Sequence, residues 1–225
     1  DVELVQSGSI VADRPGQVID GVDVHGQILI RASGVTVRNF RVDAGGGNYG
    51  ITTGLGEYVG TVLENGEIHN ATSAGLFGAN FTARGLEIHH IGSDGIKARD
   101  NVTVEGCFLH HLGMKKGAHA DGVQMRMGTR ALFRGNNIDM PVHTPPPGEQ
   151  QFLANAAFMI SDEVGVVDQL RIERNWLNGG NYTIMLNTDK FGGPSNVSIV
   201  DNRFGRDFQY GPLRLTARSV HLEGN

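Results

Sequence analysis

Apolar and polar positions along this chain repeat a six-residue pattern. Each copy has an apolar residue at its first and sixth positions and a turn-compatible residue at its fourth. Consecutive copies start between 20 residues apart, as from Leu63 to Ala83, and 39 residues apart, as from Phe133 to Ile172. A repeat of this length is typical of one coil of a solenoid. The copies occupy residues 37–42, 63–68, 83–88, 104–109, 133–138, 172–177, 199–204 and, cut short, 222–225.

Each copy predicts short strands joined by tight turns rather than a helix. Val, Ile and Phe recur at period two within the copies, and 33 glycines and 7 prolines interrupt the chain. The fourth position is the predicted turn, and the last four copies all place asparagine there, which predicts a hydrogen-bonded stack from coil to coil. The occupants of this turn position are Phe40, Gly66, Leu86, Cys107, Asn136, Asn175, Asn202 and Asn225.

The repeat runs through nearly the whole chain, so it predicts one all-β domain over residues 1–225 with about eight to nine coils. Because Asn225 falls in the middle of a copy, we expect this domain to be a segment of a longer protein. The insertion at residues 140–151 carries three consecutive prolines, and we expect it to line the rim of a groove.

A second landmark precedes each copy, where a small residue and an apolar residue begin another strand, as in DGIKAR from Asp94 and DGVQMR from Asp121. Side chains in a strand alternate between its two faces, so Lys97 and Gln124 point out of the solenoid. The same alternation places Arg99 and Arg126 outside, followed on later coils by Met159 with Ser161 and by Met185 with Asn187. Neighbouring strands therefore build the floor of an external groove.

Composition narrows the class of partner. The net charge of −5 and the pI near 6.0 argue against a nucleic-acid binder, which needs clustered Lys and Arg. No membrane partner is expected, because the chain has neither an 18-residue apolar run nor a signal peptide. The single cysteine, Cys107, occupies the turn position and is expected to be a small buried hydrophobe with slow thiol chemistry.

These motifs resemble the right-handed parallel β-helix proteins of the pectate-lyase-like superfamily. The six-residue copies look like the family's second and third strands with its asparagine-ladder turn, and the DGIKAR and DGVQMR stretches look like its first strand. GAHADGVQ from Gly117 is similar to a motif of β-helix modules in secreted bacterial proteins and phage tails. The resemblance implies a three-sheet solenoid, a polysaccharide groove on the first sheet, and a secreted or extracellular location, with a virion tail as the alternative.

Two aspartates are the strongest candidates for chemistry. Asp94 and Asp121 each precede Gly in the same register, so their carboxylates are expected to lie one coil apart. Carboxylates at roughly 5 Å repel, which raises one pKa and makes an acid and base pair, or they share a cation. No cofactor is expected, although a calcium ion between the two remains open. The alternative is structural, since Asp-Gly is a common turn pair.

Outward cations suggest an anionic ligand. Lys97, Arg99 and Arg126 would repel one another unless an anion such as a uronate carboxylate lies between them. The alternative is that they pair with Asp94, Asp100 and Asp121. His119, on the loop that also carries Lys115 and Lys116, is a candidate base.

The leading functional hypothesis is cleavage of an acidic polysaccharide by β-elimination. Arg126 and Arg99 would neutralise the uronate, Lys97 or His119 would take the proton, and His119 or Asp121 would protonate the leaving oxygen. A hydrolase that uses Asp94 and Asp121 is the variant within the enzyme class. Predicted substrate-binding residues are Arg99, Gln124, Lys115, Lys116 and Asn187.

The competing hypothesis is a non-catalytic module that binds glycan or supplies length in a phage tail or bacterial surface protein. A tail component would be expected to form a homotrimer.

Paired histidines at 89–90 and 110–111 could hold a transition metal. We expect them instead to form a stacked ladder and assign no metal ligands.

Overall fold

The computed structural model describes residues 3–144, 154–217 and 219–225. Within these ranges all regular secondary structure is β-strand, and none of it is a helix of the length and apolarity that a membrane span requires. Residues 145–151 of the predicted groove-lining insertion lie outside the described ranges.

In the described part of the chain, the strands form two networks of parallel pairs. We call the first network sheet I; it contains nine strands among the described residues. In spatial order they are β2 (Ile10–Ala12), β4 (Ile28–Ile30), β6 (Tyr49–Thr52), β8 (Ala74–Gly78), β10 (Asp94–Ala98), β13 (Ala120–Met125), β16 (Ala154–Ser161), β19 (Tyr182–Asn187) and β22 (Gly211–Leu215).

The second network, sheet II, follows a main path with a branch. The main path is β1 (Val5–Ser7), β3 (Val18–His25), β5 (Thr36–Asp43), β7 (Thr61–His69), β9 (Phe81–Ile91), β11 (Val102–Glu105), β14 (Gly128–Arg134), β17 (Val167–Glu173), β20 (Ser195–Val200) and β23 (Val220–Glu223). The branch is β12 (Phe108–Leu112), β15 (Asn137–Met140), β18 (Trp176–Gly179) and β21 (Arg203–Phe204).

Sheet II divides where the occupant of the turn position changes. In β5, β7 and β9 one long strand passes through Phe40, Gly66 and Leu86, whereas β11 and β12 are separated at Cys107. Later coils also break at the asparagine of the turn. The coils from Cys107 onward thus have three strand-bearing faces, and the chain folds as the predicted parallel β-helix.

The asparagine stack is present as predicted. The side-chain amide of Asn136 donates to Asn175 Oδ1, that of Asn175 to Asn202 Oδ1, and that of Asn202 to Asn225 Oδ1, each at 2.9 Å. Each of these amides also donates to a backbone carbonyl, as from Asn175 to Phe133 O at 3.0 Å. Asn136, Asn175 and Asn202 are buried inside the solenoid, whereas Asn225 at the end of the stack is exposed.

Glycine follows the two aspartates because the core leaves no room for a side chain there. A Cβ on Gly122 would lie 2.4 Å from Ile138 Cγ2, and one on Gly95 would lie 2.8 Å from Leu109 Cδ2. The next residues, Ile96 and Val123, are fully buried. Close packing of β10 on β12 and of β13 on β15 therefore requires glycine after each of the two aspartates.

Candidate functional site

The outer face of sheet I carries the predicted row of side chains. Lys97 pairs with Gln124 across adjacent coils, and Gln124 pairs with Met159, which pairs with Met185. Both Lys97 and Gln124 are partly exposed, while their neighbours Ile96 and Val123 are buried. The register predicted for residues 97 and 124 is therefore confirmed.

Asp94 and Asp121 lie side by side at the start of this row. Asp94 Oδ1 accepts a hydrogen bond from the backbone N–H of Asp121 at 2.9 Å and from the Ser93 hydroxyl at 3.3 Å. Its Oδ2 lies 3.4 Å from Lys97 Nζ. The Asp94 side chain is only 2% exposed, so a cation and a backbone dipole both support its charged form.

Asp121 has different partners. Its Oδ1 accepts from Asn155 Nδ2 at 2.8 Å, and its Oδ2 accepts from Gln124 Nε2 at 3.3 Å. These donors are neutral amides, and Asp121 is 1% exposed. The structure therefore gives Asp94 the stronger support for a negative charge.

The environment raises the pKa of both Asp94 and Asp121. Burial raises the pKa of Asp94, opposed by the Asp121 N–H and by Lys97. Burial, and then the charge of Asp94, raise the pKa of Asp121 well above its ordinary value of 3.8. Because two close carboxylates titrate as one system, the pair retains a proton at a pH where ordinary aspartates are ionised.

A polar cleft of about 280 Å³ adjoins this pair. Ser73, in its wall, accepts from Lys97 Nζ at 2.9 Å, and Ser93 donates to Asp94. Lys115 and Lys116 are exposed on the loop before β13 and line the same cleft. A ligand in this cleft would contact the Ser73 and Ser93 hydroxyls, which are hydrogen-bonded to the Lys97 and Asp94 side chains. The lining residues are Asn48, Thr72, Ser73, Ser93, Lys115, Lys116, Gly117 and Ala118.

The two arginines lie just past the far ends of their strands and differ in their partners. Arg126 Nε donates to Glu163 Oε2 at 2.7 Å, so its ion pair involves none of the three aspartates that the sequence offered as alternatives. Arg99 Nη1 is buried and has no hydrogen-bond partner among the described residues. Burial and the nearby charge of Arg126 lower the Arg99 pKa.

Asn187 extends the arginine row. Ser161 pairs with Asn187, and the register that joins Met125 to Ile160 places Arg126 next to Ser161. Asn187 Oδ1 is buried without a partner among the described residues. The structure thus contains an aspartate pair at one end of the strands and a row of arginine and amide groups at the other.

His119 does not join the arginines. It is exposed immediately before β13, whereas Arg126 follows the end of β13. Seven residues of extended chain separate their backbones by roughly 20 Å. The predicted β-elimination requires Lys97, His119, Asp121 and Arg126 to converge in one site, and this expectation needs correction. Lys97 and Asp121 cluster with Asp94, and Arg126 lies apart.

The histidines form the stacked ladder that we expected. The ring centroids of His69 and His89 are 5.4 Å apart, those of His89 and His110 are 5.2 Å apart, and those of His90 and His111 are 5.0 Å apart. Burial lowers the pKa of His89 and of His110. Within the described ranges, no group of three or more His, Cys, Asp or Glu side chains is arranged to hold a metal ion.

The sequence interpretation missed several residues of this face. Asn155 donates to Asp121, Ser73 accepts from Lys97, and Tyr49 stacks on Phe77 with ring centroids 4.9 Å apart. Ser73 and Phe77 lie on the coil next to Lys97, so alignment of the strand starts would have identified both. Asn155 follows the insertion directly, and no repeat position marks it.

Comparison with known proteins gives one family and a set of structures. The family described as right-handed beta helix region matches residues 26–225. The catalytic domain of a GH87 α-1,3-glucanase in complex with nigerose is 13% identical, with a TM-score of 0.37, and the match covers 96% of this chain and 55% of that one. A variant of that domain with tetrasaccharides is 12% identical, has a TM-score of 0.26 and is covered to the same extent.

The chain thus spans 55% of the length of these glucanase domains. No curated protein matches the chain.

Proposed function

Because the chain belongs to the family of right-handed beta helix regions, we propose that sheet I binds an acidic polysaccharide and that Asp94 and Asp121 hydrolyse its glycosidic bonds. The observation that carries this proposal is the pair of buried carboxylates on adjacent coils, both with raised pKa, beside a polar cleft. A polysaccharide substrate also favours an extracellular location.

The different surroundings of the two acids assign their roles. Asp121, whose donors are neutral amides, holds the shared proton and donates it to the glycosidic oxygen. Asp94, supported by Lys97 and a backbone N–H, stays ionised and attacks the anomeric carbon as the bond to the leaving oxygen breaks. Carboxylates on adjacent coils lie roughly 5 Å apart, a separation that suits this covalent route. Water then displaces Asp94 from the anomeric carbon and gives a proton to Asp121, so the pair ends with one proton, as it began.

Access to Asp121 depends on Gln124. The Gln124 amide lies 3.3 Å from Asp121 Oδ2 and is itself partly exposed. A sugar hydroxyl that replaces this long hydrogen bond allows the Gln124 side chain to turn away. Substrate binding would then expose the acid that protonates the leaving group.

Exposed cations support an acidic substrate. Lys115 and Lys116 are exposed and line the cleft beside the aspartate pair. Guanidinium and ammonium groups bind carboxylates strongly when partly shielded from water. Uronate residues supply such carboxylates at regular intervals.

Hydrolysis fits the contacts better than β-elimination does. Lys97 is already bonded to Ser73 and Asp94. Arg126 is paired with Glu163 and follows the end of β13, whereas His119 precedes the start of β13. Elimination would need Lys97 or His119 as base and Arg126 with Arg99 for the uronate. Lys97 and Arg126 already have partners, and His119 is far from Arg126. Arg99 has no ion-pair partner among the described residues, but its Nη1 is buried.

A non-catalytic glycan-binding module is the second candidate. The observation that favours it is that the Asp94 and Asp121 carboxylates are buried and already accept hydrogen bonds. Buried polar groups with satisfied hydrogen bonds commonly serve structure alone. As a component of a phage tail, such a module would be expected to form a homotrimer.

One experiment distinguishes hydrolysis, β-elimination and binding without cleavage. The protein is incubated with a panel of uronate polysaccharides, and new reducing ends, ultraviolet absorbance of unsaturated products and glycan binding are measured in parallel. Hydrolysis predicts reducing ends without the absorbance, and elimination predicts both. Binding without either product would overturn the enzymatic proposal in favour of the module.

The matched variants are Asp121→Asn and Asp13→Asn. Both remove one carboxylate, but Asp13 is exposed and outside the cleft. The proposal expects Asp13→Asn to cleave like the parent and Asp121→Asn to lose cleavage. Equal cleavage by the two variants would remove Asp121 from the mechanism.

A further inference from the structure

A second cleft lies on the outer face of sheet I, toward the N-terminal coils. It has a volume of about 390 Å³, and its walls include three aromatic rings, Tyr49, Tyr58 and Phe77. Tyr49 and Phe77 stack across neighbouring coils with 27° between their ring planes. Arg31 and Glu57 add charged groups to the lining. We call this space the aromatic cleft.

The register ties the aromatic cleft to the aspartate pair. Phe77 pairs directly with Lys97, so these two outward side chains are neighbours. Tyr49 pairs with Ala74, which pairs with Asp94. Two strand spacings, roughly 10 Å along the solenoid axis, thus separate the Tyr49 and Asp94 backbones.

The loop that carries Tyr58 is held in place by the solenoid. The Asn80 side-chain amide donates to Tyr58 O at 3.0 Å and to Gly56 O at 3.4 Å, and Asn80 is 9% exposed. Glu57 accepts from the backbone N–H of Leu55 at 2.9 Å. The cleft therefore has a preformed rim, which lowers the entropy lost when a ligand binds.

The lining chemistry matches a sugar ring. Aromatic faces pack against the C–H face of a pyranose, while a guanidinium and a carboxylate together serve its hydroxyls as donor and acceptor. The aromatic cleft joins the row of Lys97 without an intervening coil. A polysaccharide chain that reaches the aspartate pair along the axis would pass over these rings.

We propose that the aromatic cleft is a binding subsite for a pyranose ring of the polysaccharide, two coils from the residue cleaved at Asp94 and Asp121. The proposal rests on the function proposed above for the aspartate pair. It adds that affinity depends on glycan length, because only a chain that spans both clefts contacts the aromatic rings.

The test uses Asp121→Asn as a background that binds without cleaving. A glycan array carrying uronate and neutral oligosaccharides of two to about eight residues is probed with this protein and with the same protein carrying Phe77→Ala. We expect Phe77→Ala to weaken binding of the longer oligosaccharides by about tenfold and to leave disaccharide binding unchanged. Tyr58→Ala on the same background should do likewise, and it serves as the second variant if Phe77→Ala unfolds.

The control is Trp176→Ala, which removes a partly exposed aromatic ring from sheet II. It should bind every glycan like the background protein. Equal losses in Phe77→Ala and Trp176→Ala, or no loss in either cleft variant, would overturn the subsite while leaving the aspartate pair intact. If the background and the parent bind no glycan at all, the proposed function and the subsite both fall.

Discussion

The asparagine stack and the aspartate pair share one geometry but differ in how their side chains are hydrogen-bonded. In both, identical residues stand on successive coils in the same register. Within the stack, Asn136, Asn175 and Asn202 each donate to the next asparagine at 2.9 Å. In the aspartate pair only the backbone N–H of Asp121 donates to the Asp94 side chain. The Asp121 carboxylate accepts from the Gln124 and Asn155 amides instead.

The difference follows from what each group can offer. An amide carries donors and an acceptor, so a column of amides satisfies itself and can be buried at low cost. A carboxylate carries only acceptors, so two of them need a proton, a cation or outside donors. On this solenoid the column of amides bonds within itself, whereas the pair of carboxylates needs a proton or outside donors, and the proposed hydrolysis would use that proton.

The largest expected effect comes from a substitution in the aspartate pair. Asp121→Asn should lower the cleavage rate by about 10²- to 10⁴-fold, the usual contribution of a general acid. Its amide oxygen can still accept from Asn155, so the fold should persist. Reducing-end assays check the rate, and thermal melts of the same preparation check the fold.

Breaking the asparagine side should cost stability and leave the groove chemistry unchanged. Asn175→Ala removes the acceptor of Asn136 and the donor to Asn202, so the free energy of unfolding should fall by about 1 to 3 kcal/mol. Asn137→Ala, at an exposed neighbouring position, should change it by less than about 0.5 kcal/mol. Equal melting of Asn175→Ala and the parent would contradict the role of the stack.

The pH dependence of stability should distinguish the two stacks. The pKa of Asp121 is raised in the folded state, so above about pH 4 the unfolded chain loses its proton first and the parent loses stability as pH rises. Asp121→Asn does not titrate at this position, so its stability relative to the parent should grow from about pH 4 upward. Urea unfolding of the parent and of Asp121→Asn across this range measures the difference, and the same pH dependence in both proteins would contradict the raised pKa.

The smallest expected effect comes from Cys107→Asn, a substitution that lengthens the asparagine stack by one residue. Cys107 occupies the turn position before Asn136, and its thiol already receives the Leu86 N–H at 3.5 Å and lies 3.8 Å from Ala83 O. Cys107→Asn supplies an acceptor and a donor for these two groups, and we expect a gain of about 0.5 to 1.5 kcal/mol in unfolding free energy. A marked loss on thermal melting would show that the amide does not fit this turn.

The sequence predicted the fold well because every coil repeats the same physical requirement. Apolar residues at period two specified the strands, and the asparagines of the last four copies specified the stack. The pairing of Lys97 with Gln124 followed from aligning the two Asp-Gly starts. Burial of Cys107 was also expected, and burial raises its pKa to about 11.

The candidate site was harder to predict because its partners come from segments without a repeat. Glu163, which pairs with Arg126, lies in a turn after β16, and periodicity says nothing about such positions. The separation of His119 from Arg126 was already implied by seven residues of extended chain. Tyr49 and Phe77 stack although Tyr49 pairs with Ala74 and Phe77 pairs with Thr52, so alignment of the strands does not indicate this aromatic contact.

The most direct test of the comparison is the protonation of the aspartate pair itself. Carboxyl ¹³C resonances of selectively labelled aspartates would be followed by NMR as a function of pH, in the parent and in Asp94→Asn. We expect the Asp121 resonance of the parent to titrate well above the ordinary value of 3.8 and to move downward in Asp94→Asn, where the neighbouring charge is gone. Ordinary titration of both Asp94 and Asp121 in the parent would contradict the account.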